Sequence, residues 1–129
     1  LGLTYCSDVR GYSPFLPEMG GKSFSPPQVP STLPTLDEVL GYVKPEDVAG
    51  YYAGLLHDGL NVHTIHTEME GGMMSWTFSD FLDRCRDMGV EFLTLKEAMK
   101  ESDLPRCKIE MGEIPGRAGK VALQKGKVA

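Results

Sequence analysis

The sequence has no apolar run approaching the ~20 residues that a membrane-spanning helix requires. Cysteine is scarce. Cys6, Cys85 and Cys107 are odd in number and widely spaced, which excludes a disulfide framework and a zinc-ribbon pattern. Reduced thiols fit a cytosolic chain best. Histidine is scarce as well, with only His57, His63 and His66. No internal repeat is seen, and no secretory leader is expected. The sequence does not begin with Met, and "LGLTYCSD" reads as a strand already in progress. The expectation is therefore a piece of a longer domain.

What is present is ordinary for a soluble globular protein. The 129 residues suffice for one modest domain with a core, at 41% hydrophobic and 24% charged. The net charge of −5 is unevenly spread. Residues 1–105 hold 7 Lys/Arg against 16 Asp/Glu, and residues 106–129 hold 6 against 2, so a body of −9 carries a tail of +4. A basic tail can lie on anionic lipid or phosphate. Composition alone favours a merely solvated tail. The acidic body argues against nucleic acid as a partner.

Periodicity predicts the elements. "LTYCSD" (3–8) is a short β-rich run. Residues 9–34 read as a loop, because six prolines and three glycines forbid long regular structure. "PTLDEVLG" opens a helix, with Thr35 as N-cap and Glu38 completing a capping box. "KPEDVAGYYAGLLHDG" gives a second helix with Pro45 in its first turn and a stripe of Val48, Tyr52, Leu55 and Leu56. "LNVHTIHTE" (60–68) alternates and is β-branched, so a strand is expected. "SWTFSDFLDRCRDMG" is a helix with Phe78, Phe81, Leu82, Cys85 and Met88 on one stripe and Gly89 as its stop. "VEFLTL" reads as a strand and residues 94–102 as a helix. Beyond Leu104 only "KVALQ" suggests a strand, at an edge. Alternating strands and helices imply parallel pairing in part of a larger α/β domain.

The stretch "VHTIHTEMEGG" carries the chemistry. On a strand His63 and His66 point to opposite faces, so they are a poor chelating pair. No metal site is expected within this sequence. His66 precedes a glutamate and two glycines at the end of its strand, the edge where α/β sheets bind ligands. Histidine titrates near neutrality and can act as a general acid or base. Glu68 is placed to orient it or to meet substrate. Position alone favours a histidine simply hydrogen-bonded at a strand end. Asp8 and Arg10 sit at the end of the first strand, where Arg is a natural partner for phosphate or carboxylate. A local Asp–Arg contact explains them equally well. Met69, Met73, Met74 and Trp76 read as a lipid-accepting wall or, more commonly, as core.

Five stretches in order, "YCSDVRGYSPFLP", "PPQVPSTLPTLDEVLG", "VHTIHTEMEGG", "FSDFLDRCRDMGVEFLTLKEAM" and "GEIPGRAGKVALQ", together resemble the C-terminal part of a member of the polysaccharide deacetylase family. The resemblance covers nearly the whole chain, including the proline-rich loop. It implies an α/β fold, the C-terminal portion of a distorted (β/α) barrel, over residues 1–104, with 105–129 as a basic, Gly-rich extension. It implies metal-dependent amide hydrolysis that deformylates an amino sugar carried on undecaprenyl phosphate, in lipid A modification and polymyxin resistance. His66 matches the general acid, and Asp8, Arg10 and Glu68 shape the substrate side. The implied cofactor is a divalent metal (zinc, manganese or cobalt). The family's ligands and base, from early motifs, are not among these residues. The chain alone is therefore expected to be inactive, with the missing half upstream or on a partner chain. The implied partners are the lipid-linked sugar and the cytoplasmic face of the inner membrane. Two alternatives stay open: a non-catalytic remnant that binds glycolipid phosphate or a partner, and a deacetylase of another acylated sugar.

Overall fold

A computed structural model describes residues 2–99 and 103–128. In chain order the elements are β1 (Leu16–Met19), β2 (Lys22–Ser23), α1 (Leu36–Val39), α2 (Val48–Leu55), α3 (Ser75–Asp87), α4 (Leu95–Ala98), β3 (Arg106–Gly112) and β4 (Val121–Lys127). The fold is mixed α/β. Two compact units are present. One comprises Leu1–Thr32, Leu93–Ile114 and Ala118–Ala129, and the other Leu33–Phe92 with Pro115–Arg117.

The first unit holds a four-stranded sheet in the order β2-β1-β3-β4. β1 pairs antiparallel with β2 and parallel with β3, in the register Leu16↔Arg106 and Pro17↔Cys107. β3 and β4 form an antiparallel pair, with Ile109 opposite Gln124 and Gly112 opposite Val121. Val9, Phe15 and Cys107 are buried together, with Ile109 and Ala122 packed against them. Pro17 sits in an interior strand despite having no N–H to give. Its carbonyl is used, accepting the Phe24 N–H at 3.0 Å.

These strands correct the sequence reading. The segment read as a proline-rich loop contains the β1–β2 hairpin. "LTYCSD" contributes only an isolated bridge between Cys6 and Gln28. Beyond Leu104 the expected edge strand at "KVALQ" is present as β4, at the edge of the sheet, and a second strand, β3, lies in residues read as polar and irregular. Among the described strands one pair, β1 and β3, is parallel, with further parallel contact in isolated bridges such as Arg10 with Ser31. The signal for β3 was the alternation Cys107, Ile109, Met111 against Lys108 and Glu110, a period of two.

The second unit is helical. Leu33, Leu36, Val39, Val48, Ala49, Tyr52, Met74, Phe81 and Cys85 form its core. α1 begins as expected: the Thr35 N–H donates to Glu38 Oε2 at 2.9 Å, closing the capping box. A single 3-10 turn, Pro45–Asp47, leads into α2. α3 buries Phe81 and Cys85 on its stripe, and burial pushes the Cys85 thiol up from its ordinary value. Met88 lies exposed at its end, where Gly89 takes φ +74°.

Residues 60–68 form no strand, nor do residues 90–95. Alternation alone does not make a strand; a ladder needs a neighbour. Among the described residues the second unit contains no strand to pair with. The extended run instead lies beside Leu33, whose N–H donates to the Val62 carbonyl at 3.1 Å. Of the helix expected over 94–102, residues 95–98 are helical, and residues 100–102 lie outside the described residues.

Candidate functional site

His66 stands at the point where the extended run turns into α3. Immediately after it come a turn and a wide π-type turn, Met69–Met73, which leads into the helix. Its carbonyl accepts the N–H groups of Met69 and Glu70, each at 3.0 Å. Its own N–H donates to Glu70 Oε2 at 2.9 Å. Glu70 thus closes a ring on the His66 backbone, side chain on one side and amide on the other.

The imidazole of His66 is 40% exposed and faces Asp37 of α1, with Nδ1 3.9 Å from Oδ1. Asp37 is itself 56% exposed. Its carboxyl is held below the ordinary carboxylate value, chiefly by the polar Thr35 side chain beside it, then by its own backbone N–H and the charges of His66 and Arg117. Arg117 arrives from far along the chain, on the short Pro115–Arg117 segment. Its Nη1 lies 3.3 Å from Glu38 Oε1. Gly116 before it has φ +78°, and a Cβ there would collide with the Glu38 carbonyl. Only glycine brings Arg117 so close to α1. The result is an exposed cluster of one imidazole, one carboxylate and one guanidinium, anchored on the buried Glu38.

Beneath it Glu70 is only 4% exposed. Oε1 has no hydrogen-bond partner, and the same is true of the buried Tyr52 hydroxyl. Both residues line a cavity of about 10 Å³ together with His63, Thr77 and Phe81. Burial, then the Glu70 charge, raises the Tyr52 hydroxyl well above its ordinary value. The His63 ring lies 4.5 Å from the Tyr52 ring and 5.6 Å from that of Phe81. His63 is therefore an interior aromatic neighbour while His66 faces outward. The two histidines diverge as expected, although no paired strand separates them. His57 is exposed beyond α2, with Nδ1 2.8 Å from the Asp58 carbonyl.

The remaining candidates are spread over the two units. Glu68 is exposed and belongs with His66. Asp8 and Arg10 belong to the first unit. Asp8 is exposed, and its N–H lies 3.4 Å from Gln28 Oε1. Arg10 is fixed by its backbone, its N–H donating to Ala122 at 2.9 Å and its carbonyl accepting from Gln124 at 2.7 Å. Among the described residues no group of three or more His, Cys, Asp or Glu is placed to hold a metal ion. The described residues do not fit the metal that the resemblance implies, and no chemical step is assigned to them through it.

The chain aligns with two curated proteins, each named "Probable 4-deoxy-4-formamido-L-arabinose-phosphoundecaprenol deformylase ArnD". It is 36% identical over 129 residues to that of Shewanella sediminis, and 35% over 126 residues to that of Wigglesworthia glossinidia brevipalpis. The alignments cover 95% and 94% of this chain. The chain is similar to the C-terminal part of this deformylase. It spans 41% and 44% of the length of these two relatives. No protein-family model matches the chain.

Asp37, Glu70 and Arg117 were not singled out from the sequence. For Arg117 the available signal was "PGRAG", a glycine-flanked arginine. For Glu70 it was the spacing of four from His66, which brings residues together only if the chain turns as a helix does.

Proposed function

We propose that this chain is the acid-bearing C-terminal part of a metal-dependent amide hydrolase. Its substrate is 4-deoxy-4-formamido-arabinose carried on undecaprenyl phosphate, and its products are formate and the amino sugar. The observation that carries the reading is the alignment with the deformylases over nearly the whole chain, with a half-exposed His66 in "TIHTE". Hydrolysis adds water to the formyl carbon and breaks the C–N bond, and an unprotonated amine leaves poorly. Protonated His66 supplies the proton to the departing nitrogen, an effect of roughly 10²–10⁴-fold. The attacking water, the metal and the base are held by residues outside this sequence. The fold proposed for the chain is the C-terminal portion of a distorted (β/α) barrel.

Asp8, Arg10 and Glu68 serve the substrate side, where Arg10 meets the sugar or its phosphate. Met73 and Trp76, both exposed near the site in sequence, suit a lipid-linked substrate at the inner face of the membrane. No described helix is long and apolar enough to cross that membrane. The biological outcome is modification of lipid A and resistance to polymyxin. The test is formate release from the lipid-linked formamido sugar by the full-length protein carrying this sequence, beside the acetamido analogue. Formate without acetate supports the reading. Acetate alone makes the protein a deacetylase, and neither product makes it a binding remnant.

A further inference from the structure

We infer that Glu70 is a positioning residue for His66, an inference that rests on the reading of His66 as proton donor. Glu70 touches no exposed surface of consequence, yet it makes two of the contacts that fix the His66 backbone. A buried carboxylate is costly to keep. An apolar side chain would fill the same space with less penalty, so a side-chain acceptor at this position is explained by what it holds. Its Oε2 accepts the His66 N–H at 2.9 Å. Its Oε1 and the Tyr52 hydroxyl share a cavity of about 10 Å³. That space admits one water-sized molecule. The two unpartnered groups face the same space, where one water would accept from the Tyr52 hydroxyl and donate to Oε1, tying Glu70 to α2. The backbone of His66 is thereby referenced to the helical core rather than to the turn alone. A proton donor displaced by ~1 Å can lose ~10²-fold in rate.

Two readouts test this. In the 129-residue chain, the His66 amide is followed by NMR and hydrogen exchange. In the full-length protein carrying this sequence, kcat and KM are measured. Glu70→Ala is expected to abolish protection of the His66 amide and to lower kcat by about 10–100-fold with KM within about 2-fold. Glu70→Gln, whose amide oxygen still accepts the His66 N–H, should restore kcat to within about 3-fold and move the His66 amide proton upfield, because its acceptor has lost its charge. Wild-type kcat in Glu70→Ala, or an unshifted His66 amide in Glu70→Gln, overturns the inference. Should the alanine variant fail to fold, the amide shift in the glutamine variant decides. Wild-type turnover in His66→Ala would instead remove the donor reading, and the amide data would still report on Glu70.

Discussion

Removing Glu38 should cost the helical unit more than removing Arg117, although the two form one ion pair. The Glu38 side chain is 1% exposed and that of Arg117 is 43% exposed. Glu38→Ala strands the Thr35 N–H, a buried donor, at about 1–3 kcal/mol, the lost capping box included. The freed guanidinium turns to water, and a half-exposed pair adds at most about 1 kcal/mol. The expected loss is about 2–3 kcal/mol. Arg117→Ala leaves Oε2 on the Thr35 N–H and removes one partner from Oε1. A fully buried pair would lose about 3–5 kcal/mol, but water reaches this one from the arginine side, and about 1–2 kcal/mol is expected. The double variant should be non-additive by about 1 kcal/mol. Trp76, the single tryptophan, lies in this unit and reports its unfolding in urea. With a slope of about 1–2 kcal/mol/M, Glu38→Ala should lower the midpoint by about 1–3 M. A loss under about 0.5 kcal/mol in Glu38→Ala, or a larger loss in Arg117→Ala, would refute the reasoning.

Other outcomes follow from the same contacts. Tyr52 has a raised value in the folded chain, so the stability it contributes is intact below pH ~10 and is lost as pH climbs past that toward the folded value. Tyrosinate absorbance should show a last step that disappears in Tyr52→Phe. Tyr42, pushed up to about 12 chiefly by its hydrogen bond with Tyr51, should precede it. Asp37 has a lowered value, so its contribution is present above its ordinary value of 3.8 and fades as pH falls through the folded one. Urea midpoints at pH 5 and pH 3 should therefore differ less in Asp37→Asn than in wild type. Phe81→Ala empties the middle of the helical core and should cost about 3–5 kcal/mol by the same fluorescence assay. Elemental analysis of the purified chain should find well under one divalent metal per molecule, since the described residues hold no ligand cluster; stoichiometric metal would overturn that.

Local signals were legible and distant ones were not. Thr35 with Glu38, Pro45 in a first turn and the Phe81–Cys85 stripe each involve residues within four positions, where backbone geometry fixes the contact. The run at 60–68 carries a strand's composition, yet a strand is a property of two segments, and the helical unit offers no second one among the described residues. Reading it as a strand also left Glu70 unremarked. Period two put Glu68 on the face of His66, whereas the chain turns after His66 and spacing four brings Glu70 onto its N–H. β3 was hidden by its glycine-rich surroundings, although its alternation was visible. The Arg117–Glu38 pair spans 79 positions, and nothing local announces it. Nor did spacing suggest that Asp37 would face His66.

The most direct test of the central claim is turnover of the lipid-linked formamido sugar by the full-length protein carrying His66→Ala, with circular dichroism to confirm that the fold persists. The account predicts a loss of roughly 10²–10⁴-fold in kcat, with the acid-side limb of the pH profile altered. Turnover close to wild type in a folded His66→Ala variant would contradict it.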